Sequence, residues 1–411
     1  MPFDPKPLQE FIEEGDRASP LIFAGRADEI ECAKAALRSV ERGRLAGQTA
    51  LFTGAPGAGK TALLEHLKED FERNGLAVAA RLPVELIERP TDAIGAVVMQ
   101  IDPEIAKKAR QEITTTYGGG ISSVISAGAE RSKKDAGMSA MPTFATIHPL
   151  LKKRLNGKPV VLFLDEAQDA VGDRPNGTNS LIQELHKGHS GPFLLIAGGL
   201  SDSKSVFKQI GISRFGRNRL HALGLLSGAE VREAAEDFLA NEEYGIDCGP
   251  PAIRQQWVEA LADESKGWPQ HLTNAFCGAA EEIIKADGSL GNANLAAALK
   301  SSREYRESYY KARIEGVPLK LIADIYAAMP DSGGLGYDEI GKVIDRAYRS
   351  RSGISGRLPQ EKAFDELLHR GVLQDCMPER FDAPIPSLRK YVFALAKHNG
   401  WQPLSSDSGA R

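Results

Sequence analysis

Apolar runs and helical stripes alternate through the first half of the chain and give way to helical stripes alone in the second. The runs Thr49–Thr53, Leu76–Leu82, Pro159–Leu164 and Phe193–Ala197 predict strands, with helical patterns between them. Val160-Val161-Leu162-Phe163-Leu164 is apolar throughout, as expected of a central parallel strand covered on both faces. Residues 21 to about 225 therefore predict a parallel sheet with crossover helices, an α/β unit. Residues 102–150 break the alternation. Their glycine-rich stretch Thr114–Gly120 and the small residues up to Gly137 predict an insertion, either a plain surface loop or a partner-binding one.

From about 226 to 300 the pattern is wholly helical. Ser227 predicts an N-cap and Pro251 a helix start, while Gly267-Trp268-Pro269 interrupts the chain before a further helix from Gln270 to about Ile284. A charged helix from about Asn294 to Ile314 predicts a connector, assigned to 301–316. Residues 317–396 read as a separate small unit: helices over Leu319–Met329, Tyr337–Tyr348 and Pro359–Arg370, then a strand through Cys376, a turn and a return strand. Three helices followed by a hairpin predict a winged helix. Residues 1–20 read as a proline-punctuated arm with one short amphipathic helix, and 397–411 as a disordered tail.

Composition narrows the setting. The chain has 411 residues, 42% hydrophobic and 26% charged, enough for several domains, and a formal net charge of −4 that supplies no global basic field. Nucleic-acid contact would then need a local patch. Cys32, Cys248, Cys277 and Cys376 are scattered, which predicts free thiols and no zinc site. No apolar stretch reaches the roughly 20 residues that span a bilayer, and no secretory signal opens the chain, so the expectation is a cytoplasmic protein without membrane contact.

The chemistry concentrates after the first predicted strand. Gly54-Ala55-Pro56-Gly57-Ala58-Gly59-Lys60-Thr61 fulfils the pattern G-x-x-x-x-G-K-[ST] between a strand and a helix. Glycines let the backbone curl so that N–H groups face phosphate oxygens, and the helix N-terminus adds its positive end. Lys60 is expected to reach the β- and γ-phosphates and Thr61 to ligate Mg²⁺. After the apolar strand Val160–Leu164 come Asp165 and Glu166, at the strand edge where open parallel sheets bind ligands. Asp165 is the expected holder of the Mg²⁺ and Glu166 the general base that polarises the attacking water. His186 and His189 are the only close histidine pair and have no third ligand nearby. No nucleophile elbow is present.

Together Gly54–Thr61 and Asp165-Glu166-Ala167-Gln168 make the chain resemble the AAA+ ATPases, with similarity to their initiator-like and signal-transduction (STAND-like) branches. The resemblance spans roughly residues 20–395, and only these two motifs are sharp. It implies a P-loop NTPase parallel sheet of AAA+ type, an all-α lid over 226–300 and a winged helix over 317–396. It further implies ATP and Mg²⁺ as cofactors. By the same resemblance, Phe23 and Arg26 in Phe23-Ala24-Gly25-Arg26 would touch the nucleotide, and Ser201 would stand where a sensor of the γ-phosphate is usual. Arg214 would be an arginine finger supplied across a homo-oligomer interface, with Arg217 and Arg219 as alternatives. Gln270 departs from the arginine usual in the lid, so Pro269 and its neighbours would read nucleotide by packing; Trp268 reads as core before any such role.

Between Lys342 and Lys362, Lys342, Arg346, Arg349, Arg351, Arg357 and Lys362 outnumber Asp345 and Glu361. This cluster predicts contact with double-stranded DNA, against the alternative of a protein-docking module or a solvated face. Two readings stay open: an ATP-hydrolysing switch acting on DNA or a DNA-associated protein, and a signalling scaffold with slow hydrolysis and protein-only partners. A small-molecule kinase is disfavoured because no acceptor motif is seen.

Overall fold

A computed structural model of the chain describes residues 3–14, 22–44, 49–82, 90–104, 151, 154–170, 182–183, 186, 192–212, 215, 219–330, 332–350, 360–377 and 379–403. These residues form two compact units. One comprises Arg26–Thr53 and Lys60–His221; the other comprises Met1–Gly25, Gly54–Gly59 and Ala222–Arg411.

The first unit is built on a five-stranded sheet in the order β2-β3-β4-β1-β5, with β1 Thr49–Thr53, β2 Val78–Arg81, β3 Val160–Leu164, β4 Phe193–Gly199 and β5 Leu220–Ala222. The pairs β2–β3, β3–β4 and β4–β1 are parallel; Val161 stands opposite Leu194, and Leu51 opposite Ala197. Every residue of β1, β3 and β4 is buried, which explains why they read as unbroken apolar runs. The expected α/β sheet is thus present. Strand β2 is shorter than the run Leu76–Leu82 predicts, because Leu76 lies in the turn after helix α3 (Lys60–Arg73) and is 37% exposed.

Helix α2 (Ala27–Glu41) buries Ala33, Ala36, Leu37 and Val40, and α3 buries Leu63, Leu64, Leu67 and Phe71. Helix α4 (Pro90–Ile101) and α5 (Ser203–Gln209) complete the unit, Val97, Ile101 and Phe207 joining Leu162, Leu164 and Leu195 in one core. Of the expected insertion, residues 105–150 lie outside the described residues.

In the second unit, α6 (Gly228–Ala240), α7 (Pro251–Ser265) and α8 (Pro269–Lys285) share a core with α1 (Lys6–Glu14). Phe238 stacks on Phe276 with ring centroids 4.6 Å apart, and Phe11 of α1 meets Phe238 at 5.4 Å. Leu8 and Phe11 are buried, so the amphipathic stripe of the N-terminal segment is spent on this core. Ser227 caps α6: its hydroxyl accepts from Glu230 N–H, and the Glu230 carboxylate accepts from Ser227 N–H at 2.6 Å. Helix α9 (Leu295–Ile314) is tied to α7 by Arg303 and Arg306, whose guanidinium groups meet the buried Glu264 at 3.0 and 2.6 Å.

Helices α10 (Leu319–Ala328), α11 (Tyr337–Ser350) and α12 (Gln360–His369) lead into a three-stranded antiparallel sheet and a last helix, α13 (Pro386–His398). The sheet order is β6-β8-β7, from β6 Leu335–Gly336, β7 Gln374–Met377 and β8 Arg380–Asp382. Buried polar side chains are paired here: Tyr326 Oη donates to Val372 O at 2.8 Å, and Trp401 Nε1 donates to Asp324 at 2.8 Å. Residues 351–359 and the tail from 404 lie outside the described residues. No helix among the described residues is long and apolar enough to cross a membrane.

Candidate nucleotide site

The loop Gly54–Gly59 runs between β1 and α3, and Lys60 and Thr61 form the first turn of that helix. Gly57 and Gly59 take φ of +81° and +86°, left-handed values that alternate with their neighbours and curl the backbone as an anion-binding nest requires. A Cβ at Gly57 would stand 2.9 Å from Gln270 Cβ and 3.0 Å from Tyr309 Oη, so space as well as torsion demands glycine here. The Ala58 N–H closes a turn onto Ala55 O at 3.0 Å. Lys60 is only 6% exposed.

Thr61 Oγ1 donates to Asp165 Oδ2 at 2.7 Å. A helix that starts after the loop following β1 and an acid just past the end of β3 are brought together because β4 alone separates those strands. Hydroxyl and carboxylate oxygens are hard donors, the set that suits a magnesium ion keeping part of its water shell and its phosphate ligands. No group of three or more His, Cys, Asp or Glu side chains is arranged for a metal among the described residues.

Glu166 is exposed and takes a left-handed φ of +48°. Its N–H bonds to Asp165 Oδ1 at 2.9 Å and its carbonyl accepts from Asp169 N–H at 2.9 Å, which holds the unusual turn. The carboxylate accepts from Gln168 Nε2 at 2.6 Å. Gln168 Oε1 in turn accepts from Leu200 N–H at 2.9 Å and from the Ser203 hydroxyl at 3.4 Å. Gln168 therefore ties the glutamate to the segment after β4. Ser201 is buried in that segment, and its neighbours Leu200 and Ser203, rather than Ser201, bond to Gln168. The sequence motif includes Gln168, but nothing in its spacing marks it as the link.

The remaining expected residues distribute as follows. Arg26 is buried at a left-handed φ of +66° before α2, 3.9 Å from Glu29. Phe23 lies just upstream, half-buried. The Pro269 ring stands 3.7 Å from where a Gly59 Cβ would be, and Gln270 N–H donates to Gly57 O at 3.2 Å, so the Gly267–Gln270 segment abuts the loop. Trp268 is buried beside Gly57. Arg214 and Arg217 lie outside the described residues, as does His189. Arg219 is half-buried beside Cys32; burial pushes that thiol up to about 11 despite the guanidinium. His186 Nδ1 lies 3.4 Å from the Thr49 hydroxyl, and burial lowers its pKa.

A parallel sheet with a glycine-rich loop between its first strand and helix, and an Asp-Glu pair after a buried strand one place removed from the first, defines a P-loop NTPase fold of the AAA+ type. Residues 22–196 match the family described as the AAA ATPase domain. The fold is similar to that of the Walker-type ATPase PABY2304 of Pyrococcus abyssi, at 15% identity and a TM-score of 0.51, over 90% of this chain and 96% of that one. It is also similar to the ORC2 protein of Aeropyrum pernix in its ADP form, at 15% identity and a TM-score of 0.50, over 96% and 99% of the two chains. No curated protein sequence matches the chain.

Proposed function

We propose that the protein is an ATP-binding and ATP-hydrolysing molecular switch that acts on DNA or a DNA-associated protein through a C-terminal winged helix. The observation that carries this reading is the 2.7 Å bond between Thr61 and Asp165, beside a loop whose glycines adopt nest torsions. Loop N–H groups and Lys60 hold the triphosphate. Thr61 and Asp165 hold Mg²⁺, which when bound neutralises charge on the phosphates. Glu166 orients and deprotonates the attacking water, and Gln168 fixes the position of its carboxylate. Arg214 reaches the site of a neighbouring copy in a homo-oligomer.

Two observations support a DNA-directed output. Among the described residues, 317–396 carry α10, α11 and α12, a small antiparallel sheet and most of α13, which include the ingredients of a winged helix. Lys342, Arg346 and Arg349 are exposed on α11 at helical spacing, and Lys362 is exposed on α12. A structure with a similar fold comes from an ORC2 protein in an ADP form, which agrees with an adenine nucleotide. The alternative, a signalling scaffold with slow hydrolysis and protein-only partners, is favoured by Gln270, whose backbone rather than a cationic side chain meets the loop.

Magnesium-dependent ATP turnover by the full chain, lost in Lys60→Ala, is the first test; turnover unaffected by that change removes the loop from the reaction. Duplex DNA binding that weakens with salt is the second. Absence of binding at low salt rejects the DNA-directed output and leaves the scaffold. Mixing Arg214→Ala with Glu166→Gln copies should restore part of the turnover; no recovery denies Arg214 a role across the interface.

A further inference from the structure

The phosphate loop is gripped from outside by residues distant in sequence. Ala55 N–H donates to Gln374 Oε1 at 2.9 Å, and Nε2 of the same side chain donates to Leu223 O at 3.1 Å. Gln374 is 6% exposed, so both bonds form away from water. Ala55 follows β1 and Leu223 follows β5, and one amide bridges the two segments. Next along the loop, Pro56 O accepts from the Tyr309 hydroxyl, and Gly57 O accepts from Gln270 N–H. Three consecutive loop residues thus give a backbone group each to β7, α9 and α8.

The approach at β7 is close. Gly371 lies at φ +66°, and a Cβ there would collide with the Pro56 ring and the Ala55 side chain. Packing alone would not call for glutamine at position 374, since methionine has nearly the same shape. A buried primary amide is costly unless both of its ends are bonded. Here both are, to the backbone N–H of Ala55 and the backbone carbonyl of Leu223.

We propose that Gln374 is a positioning residue for the nucleotide: it sets the curl of the phosphate loop from the C-terminal sheet and couples that sheet to site occupancy. The curl decides where the later loop N–H groups point, and therefore how tightly phosphate is held. Because coupling is reciprocal, bound nucleotide stabilises the β7–β8 segment in return. The proposal rests on the reading of Gly54–Thr61 as a nucleotide site.

The test compares full-length wild type, Gln374→Met, Tyr309→Phe and Lys60→Ala by titration with fluorescent ADP and ATP. Amide hydrogen exchange over residues 372–382 is followed with and without ADP. Gln374→Met is expected to weaken nucleotide binding by about tenfold, from loss of the bonds to Ala55 N–H and Leu223 C=O that set the curl of the loop. ADP should slow exchange over 372–382 in wild type and not in this variant. Should Gln374→Met fail to melt cooperatively, Tyr309→Phe serves, with a smaller loss of affinity and weaker protection expected. Wild-type affinity and protection in the variants would overturn the coupling and leave the nucleotide site standing. Equal, negligible nucleotide binding by wild type and Lys60→Ala would instead sink the nucleotide reading itself.

Discussion

Thr61 Oγ1 and Asp165 Oδ2 lie 2.7 Å apart, although 104 positions separate them in the chain. If both oxygens serve one ion, removing either should raise the magnesium requirement for turnover. Thr61→Ala and Asp165→Asn are each expected to raise the half-saturating Mg²⁺ concentration by about tenfold, and the double variant by less than the product of the two, as residues sharing one partner do. Fully multiplicative effects in a magnesium titration would mean that the two side chains act separately.

Glu166 is held by Gln168, which is anchored at Leu200 and Ser203. Glu166→Gln should lower turnover by about 10²- to 10⁴-fold, the usual contribution of a general base, with nucleotide affinity kept. Gln168→Leu leaves the carboxylate in place but unaimed, so a loss of about tenfold in kcat with little change in KM is expected. Single-turnover assays separate these outcomes. A Gln168 variant that loses affinity instead of rate would make the residue a prop for the loop rather than for the base.

The parts of the site legible in the sequence are those formed by contiguous residues. Gly54–Thr61 carries its own conformation, because the glycines at 57 and 59 permit the left-handed torsions observed. Asp165 and Glu166 are marked by the unbroken apolar strand before them, whose burial on both faces removes any alternation. Strand β5 is only three residues long and half-exposed, so it leaves no apolar run to read. Gln374 is 319 positions from the backbone group it holds, and a lone glutamine in a short strand announces nothing. Gln168 sits inside the motif, yet its role depends on Leu200 and Ser203, which reach it only once β3 and β4 pair.

Gly57 combines a positive φ with crowding by Gln270, Tyr309 and Trp268. Gly57→Ala adds a methyl group with no room in front of it and torsional strain behind it. The strain alone costs about 1–2 kcal/mol. The loop should relax away from its nest geometry, so nucleotide affinity should fall by more than tenfold while the apo protein keeps wild-type circular dichroism, on the expectation that the distortion stays in the loop. Wild-type affinity in Gly57→Ala would show that the loop binds phosphate in another conformation.

His271 on α8 supplies a pH dependence whose sign is fixed by its surroundings. The imidazole is 1% exposed and edge-on to Tyr309 and Tyr310, with ring centroids 5.9 and 5.5 Å away. Burial first, and then the Arg306 guanidinium, lower its pKa from 6.5 to about 3, against a smaller opposing effect of the Ser265 backbone, which favours the protonated ring. The unfolded chain takes up a proton near pH 6.5, and the folded one does so only near pH 3. Between those values the unfolded state binds more protons, so stability is fully present above 6.5 and declines as pH falls. The slope from this one residue is about 1.4 kcal/mol per pH unit. His271→Leu should remove about one proton from the pH dependence of urea unfolding over that window. Because His66 and His186 also have lowered pKa values, the comparison between the variant and wild type isolates His271. An identical slope in the two proteins would mean that the His271 imidazole is already protonated in the folded state, which its burial between two tyrosines and an arginine argues against.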